Sequence, residues 1–210
     1  MDPISDYRVQ ELSEEQMAKA VEVAHRAGKK VMAHAEGAEG IKAAVRAGVD
    51  SIEHGTVMDE EGARLMEQHG TWLVPTLYCF QHDMETGTSQ GRDPVSFAKG
   101  VAILKEQQPA FARAIAHHIR IAYGVDDDPD VVSKEFGALV RGGLSALDAL
   151  RAATINGAEL TGRDKDIGSI DPGKFADMVA VEGDPLANIT VMEKVVFVMK
   201  GGEVYANNAK

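Results

Sequence analysis

The sequence predicts an α/β protein of about four parallel βα units, half of a (β/α)8 TIM-type barrel, with a small C-terminal β appendage. Three observations carry that expectation. Short apolar runs alternate with helical patterns at roughly 20-residue intervals, as parallel strands joined by crossover helices do. Three of the four runs end in a possible metal ligand, His34, His54 or Asp126, where such folds carry their chemistry. From Gly168 onward the texture changes to short β segments broken by Gly, Pro and Asn turns.

The elements follow in order. Ser13 with Gln16 three residues later forms a capping box, and Met17, Ala20, Val21 and Ala24 continue at helical spacing. His25 and Arg26 close that helix before Gly28. KKVMAHAEG is then a strand ending at His34, AEGIKAAVRAG a helix ending at Gly48, and residues 49–55 a strand ending at His54. A helix over 59–69 closes on His69 and Gly70, and TWLVPTLY reads as a third strand ending at Tyr78. Gly87 to Pro94 reads as loop, Val95 to His118 as helix, and IRIAYGVD as a fourth strand ending at Asp126. Two helices are expected over about 132–142 and 145–159, the second capped by Ser145. DMVAVEG, KVVFVMK and GEVYAN supply the β appendage.

Composition excludes several classes. The chain has 210 residues, 44% hydrophobic and 26% charged, an ordinary globular balance. A formal charge of −11 repels phosphate backbones, so no nucleic-acid partner is expected. No run approaches the roughly 18 apolar residues of a membrane span, and no membrane partner is expected. Cys79 is the only cysteine and the N-terminus carries no signal-peptide core, which points to a reduced, cytoplasmic setting. A complete barrel takes about 250 residues. Half of one leaves two open sheet edges, so pairing with a missing N-terminal half or with further copies is expected.

Neutral imidazole and carboxylate suit Zn2+ and similar divalent ions. His34 and His54 lie 20 residues apart, one βα repeat, which places them at one depth on neighbouring strands. Asp126 could bind the same cation and accept the proton of a metal-activated water. A single strand-end histidine is commonly structural; two at one repeat spacing followed by an aspartate favour a site. Tyr78 could polarise a substrate carbonyl or pack at the rim, and His82 sits where a substrate-facing loop would begin. His25 and His69 read as helix caps, and His117 and His118 as surface or packing residues. Asp127, Asp128 and Asp130 form a solvated loop, Trp72 and Phe80 fit core or rim, and Cys79 has no base partner.

The stretches HAEGAEGIKAAVRAGVDSIEHG, LVPTLY, IAYGVD, ALRAATINGAELTG, GSIDPGKFADMVAVEGDPL and VVFVMKGGEVY together resemble the amidohydrolase superfamily, in its imidazolonepropionase-like and Xaa-Pro dipeptidase (prolidase)-like branch. The resemblance implies a (β/α)8 barrel with a β-sandwich, of which residues 1–165 would supply the equivalents of strands 5–8 and residues 166–210 part of the sandwich. It implies a metal-dependent hydrolase acting on an amide or peptide bond, such as a small Xaa-Pro dipeptide, with one or two divalent ions, usually zinc. By motif match His34 and His54 take the fifth- and sixth-strand ligand places. Asp126 takes the eighth-strand aspartate that is ligand and general base, and Tyr78 the carbonyl-assisting tyrosine. The first-strand His-x-His pair and the fourth-strand lysine of the family are absent, and Gly124–Pro129 departs from the family's eighth-strand pattern. The chain by itself is thus expected to hold one weak metal site or none. The competing expectation is a catalytically inactive, truncated half-barrel that self-associates.

Overall fold

Ser13 opens the first helix, α1 (Glu14–Arg26), with both hydrogen bonds of the expected capping box formed. The computed structural model describes residues 6–86 and 94–208, and the chain divides into two compact units, Met1–Ile121 and Ala122–Lys210.

In the first unit, β1 (Met32–Ala35), β2 (Ser51–His54) and β3 (Trp72–Val74) form a parallel sheet in that order. The helices α2 (Ala38–Ala47) and α3 (Glu60–His69) are the crossovers, the latter capped by Asp59 accepting from Gly62 N–H. The helices α4 (Leu77–Thr86) and α5 (Pro94–Ala116) follow β3. Parallel pairing explains the apolar runs, because such strands are covered on their faces by the intervening helices. Ile41, Val45, Ile52, Met58, Met66, Leu73, Ile103 and Phe111 form the fully buried core. Asp50 ties α1 to the sheet, accepting from His25 Nε2 at 2.8 Å, Lys30 Nζ at 2.7 Å and Val31 N–H at 2.8 Å. Burial works against its charge, but those donors outweigh it and hold its pKa below the usual carboxylate range.

Two strand expectations are corrected. TWLVPTLY pairs only over Trp72–Val74. Pro75 has no N–H to continue the ladder, and the chain turns into α4 at Leu77. Tyr78 therefore lies in the first turn of a helix rather than at a strand end. IRIAYGVD forms no full strand. Among the described residues its strand pairing is the parallel bridge between Leu73 and Ile121, with Leu73 N–H donating to the Arg120 carbonyl. Two residues later the Tyr123 N–H goes to the Ala152 carbonyl. Of the expected loop, residues 87–93 lie outside the described residues, and Pro94 begins α5.

His117, expected as a surface or packing residue, locks the end of α5 to α3. Its Nε2 lies 2.7 Å from Glu60 Oε1 and its Nδ1 2.8 Å from Glu67 Oε2. A neutral ring has one donor, so both bonds require the imidazolium, and the hydrogen bonds from Glu67 and Glu60 raise its pKa. A raised pKa gives stability that is complete below the ordinary value of about 6.5 and lost as pH rises through the folded value. Thermal melts of wild type and His117→Gln should therefore differ by a few degrees at pH 6 and converge by pH 9. A gap that stays constant with pH would refute the clamp.

The second unit holds α6 (Lys134–Arg141), α7 (Ala146–Arg151), a π-helical turn over Ala152–Asn156 and α8 (Gly157–Leu160). The helix expected over 145–159 is thus present but widened in its middle, and Ser145 caps it by accepting from Asp148 N–H. Leu139, Ala149 and Ala152 are fully buried in this unit. The appendage forms as expected: β4 (Met178–Val181), β5 (Val195–Lys200) and β6 (Glu203–Asn207) make an antiparallel sheet in sequence order. Gly201 and Gly202, at φ 58° and 85°, turn the β5–β6 hairpin in the twist that matches its strands. No residue of these three strands is buried. Among the described residues, no helix is long and apolar enough to cross a membrane.

Candidate active site

The parallel register pairs Met32 with Ser51, His34 with Glu53 and Ala35 with His54. Residues paired in register share a face, so Met32, His34, Ser51 and Glu53 line one side of the sheet. Simple alternation would leave His54 on the opposite, helix-covered side with Ile52. It does not stay there. His54 has φ 71°, a left-handed conformation rare outside glycine, which breaks the alternation at the strand's last residue. Its ring lies edge-on to that of His34, with centroids 4.6 Å apart and planes at 72°. The rings of His34 and His54 thus meet at the ends of neighbouring strands.

The pair is asymmetric. His34 is exposed, whereas His54 is 6% exposed. His54 Nδ1 lies 2.7 Å from the buried Thr76 hydroxyl, and Phe80 packs against the ring with centroids 6.0 Å apart. Thr76 sits just beyond β3 and is itself left-handed at φ 45°. Unfavourable backbone conformations thus end both β2 and β3, as strained residues gather where a site needs side chains aimed. Sequence reading missed Thr76; its signal was its place after Pro75, where the third strand had to stop.

Two glutamates neighbour these histidines in sequence. Glu53 accepts from Ser51 Oγ at 2.7 Å. Glu36, two residues past His34, is 7% exposed, and its Oε2 has no hydrogen-bond partner among the described residues. Burial pushes the Glu36 carboxyl up to about 7. Neither glutamate was singled out in the sequence.

Tyr78 is buried on α4, and its hydroxyl donates to Glu85 Oε2 at 2.9 Å. His82 is on the same helix rather than in a loop, one turn later, and its ring stacks on that of Tyr78 with centroids 5.7 Å apart. Trp72 and Phe80 are buried, as expected of core residues, and Arg120 stacks on the Trp72 ring at 4.2 Å. Asp126 belongs to the second unit, where it is exposed and left-handed at φ 54°. His34 and His54 offer the donor type that zinc-like cations take, but they are two ligands where such a site uses four. Among the described residues, no cluster of three or more His, Cys, Asp or Glu side chains is gathered closely enough to hold an ion.

A parallel βα sheet with histidines gathered at the strand C-termini defines an α/β protein whose chemistry lies at that rim. The sequence pattern of the amidohydrolase family matches residues 4–205, and the chain belongs to that family. It is 33% identical over 202 residues to ochratoxinase of Aspergillus niger, an alignment covering 93% of this chain and 42% of the relative. It is 28% identical over 186 residues to the imidazolonepropionase of Sphingopyxis alaskensis, covering 82% and 40% of the two chains. A crystal structure of a Xaa-Pro dipeptidase with bound methionine superposes with a TM-score of 0.89 at 36% identity, covering 94% of this chain and 50% of that one. The family and branch expected from the six sequence stretches are thereby established. The chain spans about half the length of these relatives.

Proposed function

We propose that this chain is the C-terminal half of a metal-dependent amidohydrolase of (β/α)8 barrel form, hydrolysing an amide or peptide bond of a small substrate such as a Xaa-Pro dipeptide. The observation that carries the reading is the His34–His54 contact at the ends of neighbouring parallel strands. Residues 1–165 supply the barrel units and residues 166–210 part of a β-sandwich, in the cytoplasm.

His34 and His54 would hold the cation, zinc by donor type, and Asp126 would take the ligand and base role that the family resemblance implies. When bound, the cation lowers the pKa of water to about 7 and polarises the scissile carbonyl. Asp126 accepts the proton from the attacking water and delivers it to the leaving amine. Thr76 fixes the His54 ring by engaging Nδ1, which would leave the ring's other nitrogen as the one to face the cation. Tyr78 orients the substrate carbonyl once its hydroxyl exchanges Glu85 for substrate, and His82, stacked on it, lines the same pocket.

The site is completed by polypeptide equivalent to the other half of the relatives. Two features favour that partner: Met32 on the outer strand β1 is 71% exposed, and the β4–β5–β6 sheet buries none of its residues. The same open surfaces support a second reading, a catalytically inactive half-barrel that covers them with further copies of itself.

The test is hydrolysis of Xaa-Pro dipeptides with added Zn2+, by the chain alone and combined with the N-terminal half of a relative, alongside metal content and mass in solution. Hydrolysis is expected in the combination, with little or none from the chain alone, and is expected to disappear in His54→Ala. Metal-free oligomers without turnover in either preparation would establish the second reading instead.

A further inference from the structure

The segment that ends at Asp126 contains almost no strand pairing, yet it is anchored. Tyr123, three residues earlier, is held within the second unit at three points. Its N–H donates to the Ala152 carbonyl at 3.1 Å. Its ring lies 4.5 Å from that of Phe136, and its hydroxyl donates to the Val132 carbonyl. Burial and the neighbouring Glu135 raise its pKa, so the phenol stays protonated as that donor.

The acceptor is unusual. Ala152 is the first residue of the π turn over Ala152–Asn156. A π turn widens the helix and tilts carbonyls off its axis, which opens one to a donor from outside. Thr154 Oγ1 donates back to the Leu150 carbonyl at 2.7 Å, a bond that bends helices. Three residues span at most about 10 Å of extended chain. Val125, next to Asp126, is 9% exposed, so little slack separates the anchored tyrosine from the carboxylate.

We propose that the π turn and Tyr123 hold the Asp126 backbone in its left-handed conformation, making Tyr123 a positioning residue for the hydrolytic site. The inference rests on Asp126 being that site's proton acceptor. Tyr123 touches no reacting atom; it sets where the carboxylate stands. Pi turns recur at functional sites because the extra residue re-aims a segment without ending the helix.

Two variants test the device in the full chain: Tyr123→Phe, which removes only the hydroxyl anchor, and deletion of Ala153, which returns the π turn to an α turn. Amide hydrogen exchange is the first readout. Deletion of Ala153 is expected to speed exchange at the Tyr123 amide by about 10-fold or more, while the β1–β3 amides are unchanged. An unchanged Tyr123 amide in folded protein would overturn the proposal. The second readout is Xaa-Pro dipeptide hydrolysis by whichever preparation supports it. There Tyr123→Phe is expected to lower kcat by about 10-fold with KM within about twofold and the melting temperature nearly unchanged. A loss that merely tracks unfolded protein would reduce Tyr123 to a structural residue and overturn its positioning role. Absence of hydrolysis in every preparation would sink the hydrolase reading instead, leaving exchange to decide whether the π turn holds this segment.

Discussion

His54→Ala is expected to weaken Zn2+ binding by at least about 100-fold, measured by titration against a competing chelator, and to abolish dipeptide hydrolysis with it. The size follows from position. His54 is the buried member of the pair, with its ring aimed by a left-handed residue and gripped by Thr76 and Phe80, whereas His34 is exposed. Removing the better-held ring would leave only the exposed His34 imidazole of the pair. Thr76→Val separates ligation from orientation: it keeps the His54 ring and its packing but deletes the hydroxyl on Nδ1. It is expected to weaken Zn2+ by about 10- to 100-fold, the range seen when a ligand's orienting partner is lost. Equal zinc affinity in wild type and both variants would show that no cation uses these histidines.

Gly168→Ala is expected to destabilise the second unit by about 3 kcal/mol, read from urea unfolding. Two costs combine. Gly168 has φ 93°, which L side chains avoid. A β-carbon there would lie 2.6 Å from Ala158 Cβ, 3.1 Å from the Thr154 carbonyl oxygen and 3.3 Å from Ile155 Cα. Much of what it meets is backbone of the π turn, which cannot swing aside as a long side chain would. The variant therefore also disturbs the turn that accepts the Tyr123 N–H. A change below about 0.5 kcal/mol would mean that the GSIDPG segment does not pack on the π turn as described.

Much of this was legible because it is local. The capping box at Ser13, the cap at Ser145, the αL glycines and the two strands ending near His34 and His54 depend on neighbours a few residues apart, and all are present. The misreadings have one cause. TWLVPTLY is apolar throughout, and a short apolar run does not say whether it is strand or helix. Pro75 carried the signal, since it has no N–H to continue the ladder. IRIAYGVD read as a strand for the same reason, yet its Tyr123 N–H finds a carbonyl on a helix about 30 residues later.

The sequence alone determined the family, the βα alternation, the β appendage and the candidate ligands, because side-chain period and turn chemistry are properties of adjacent residues. Tertiary structure alone decided where those side chains aim. Alternation along β2 sends His54 away from His34, and only its left-handed backbone, with Thr76 gripping the ring from the end of the next strand, brings it back. Such aim comes from contacts between residues distant in the chain, which no local pattern encodes.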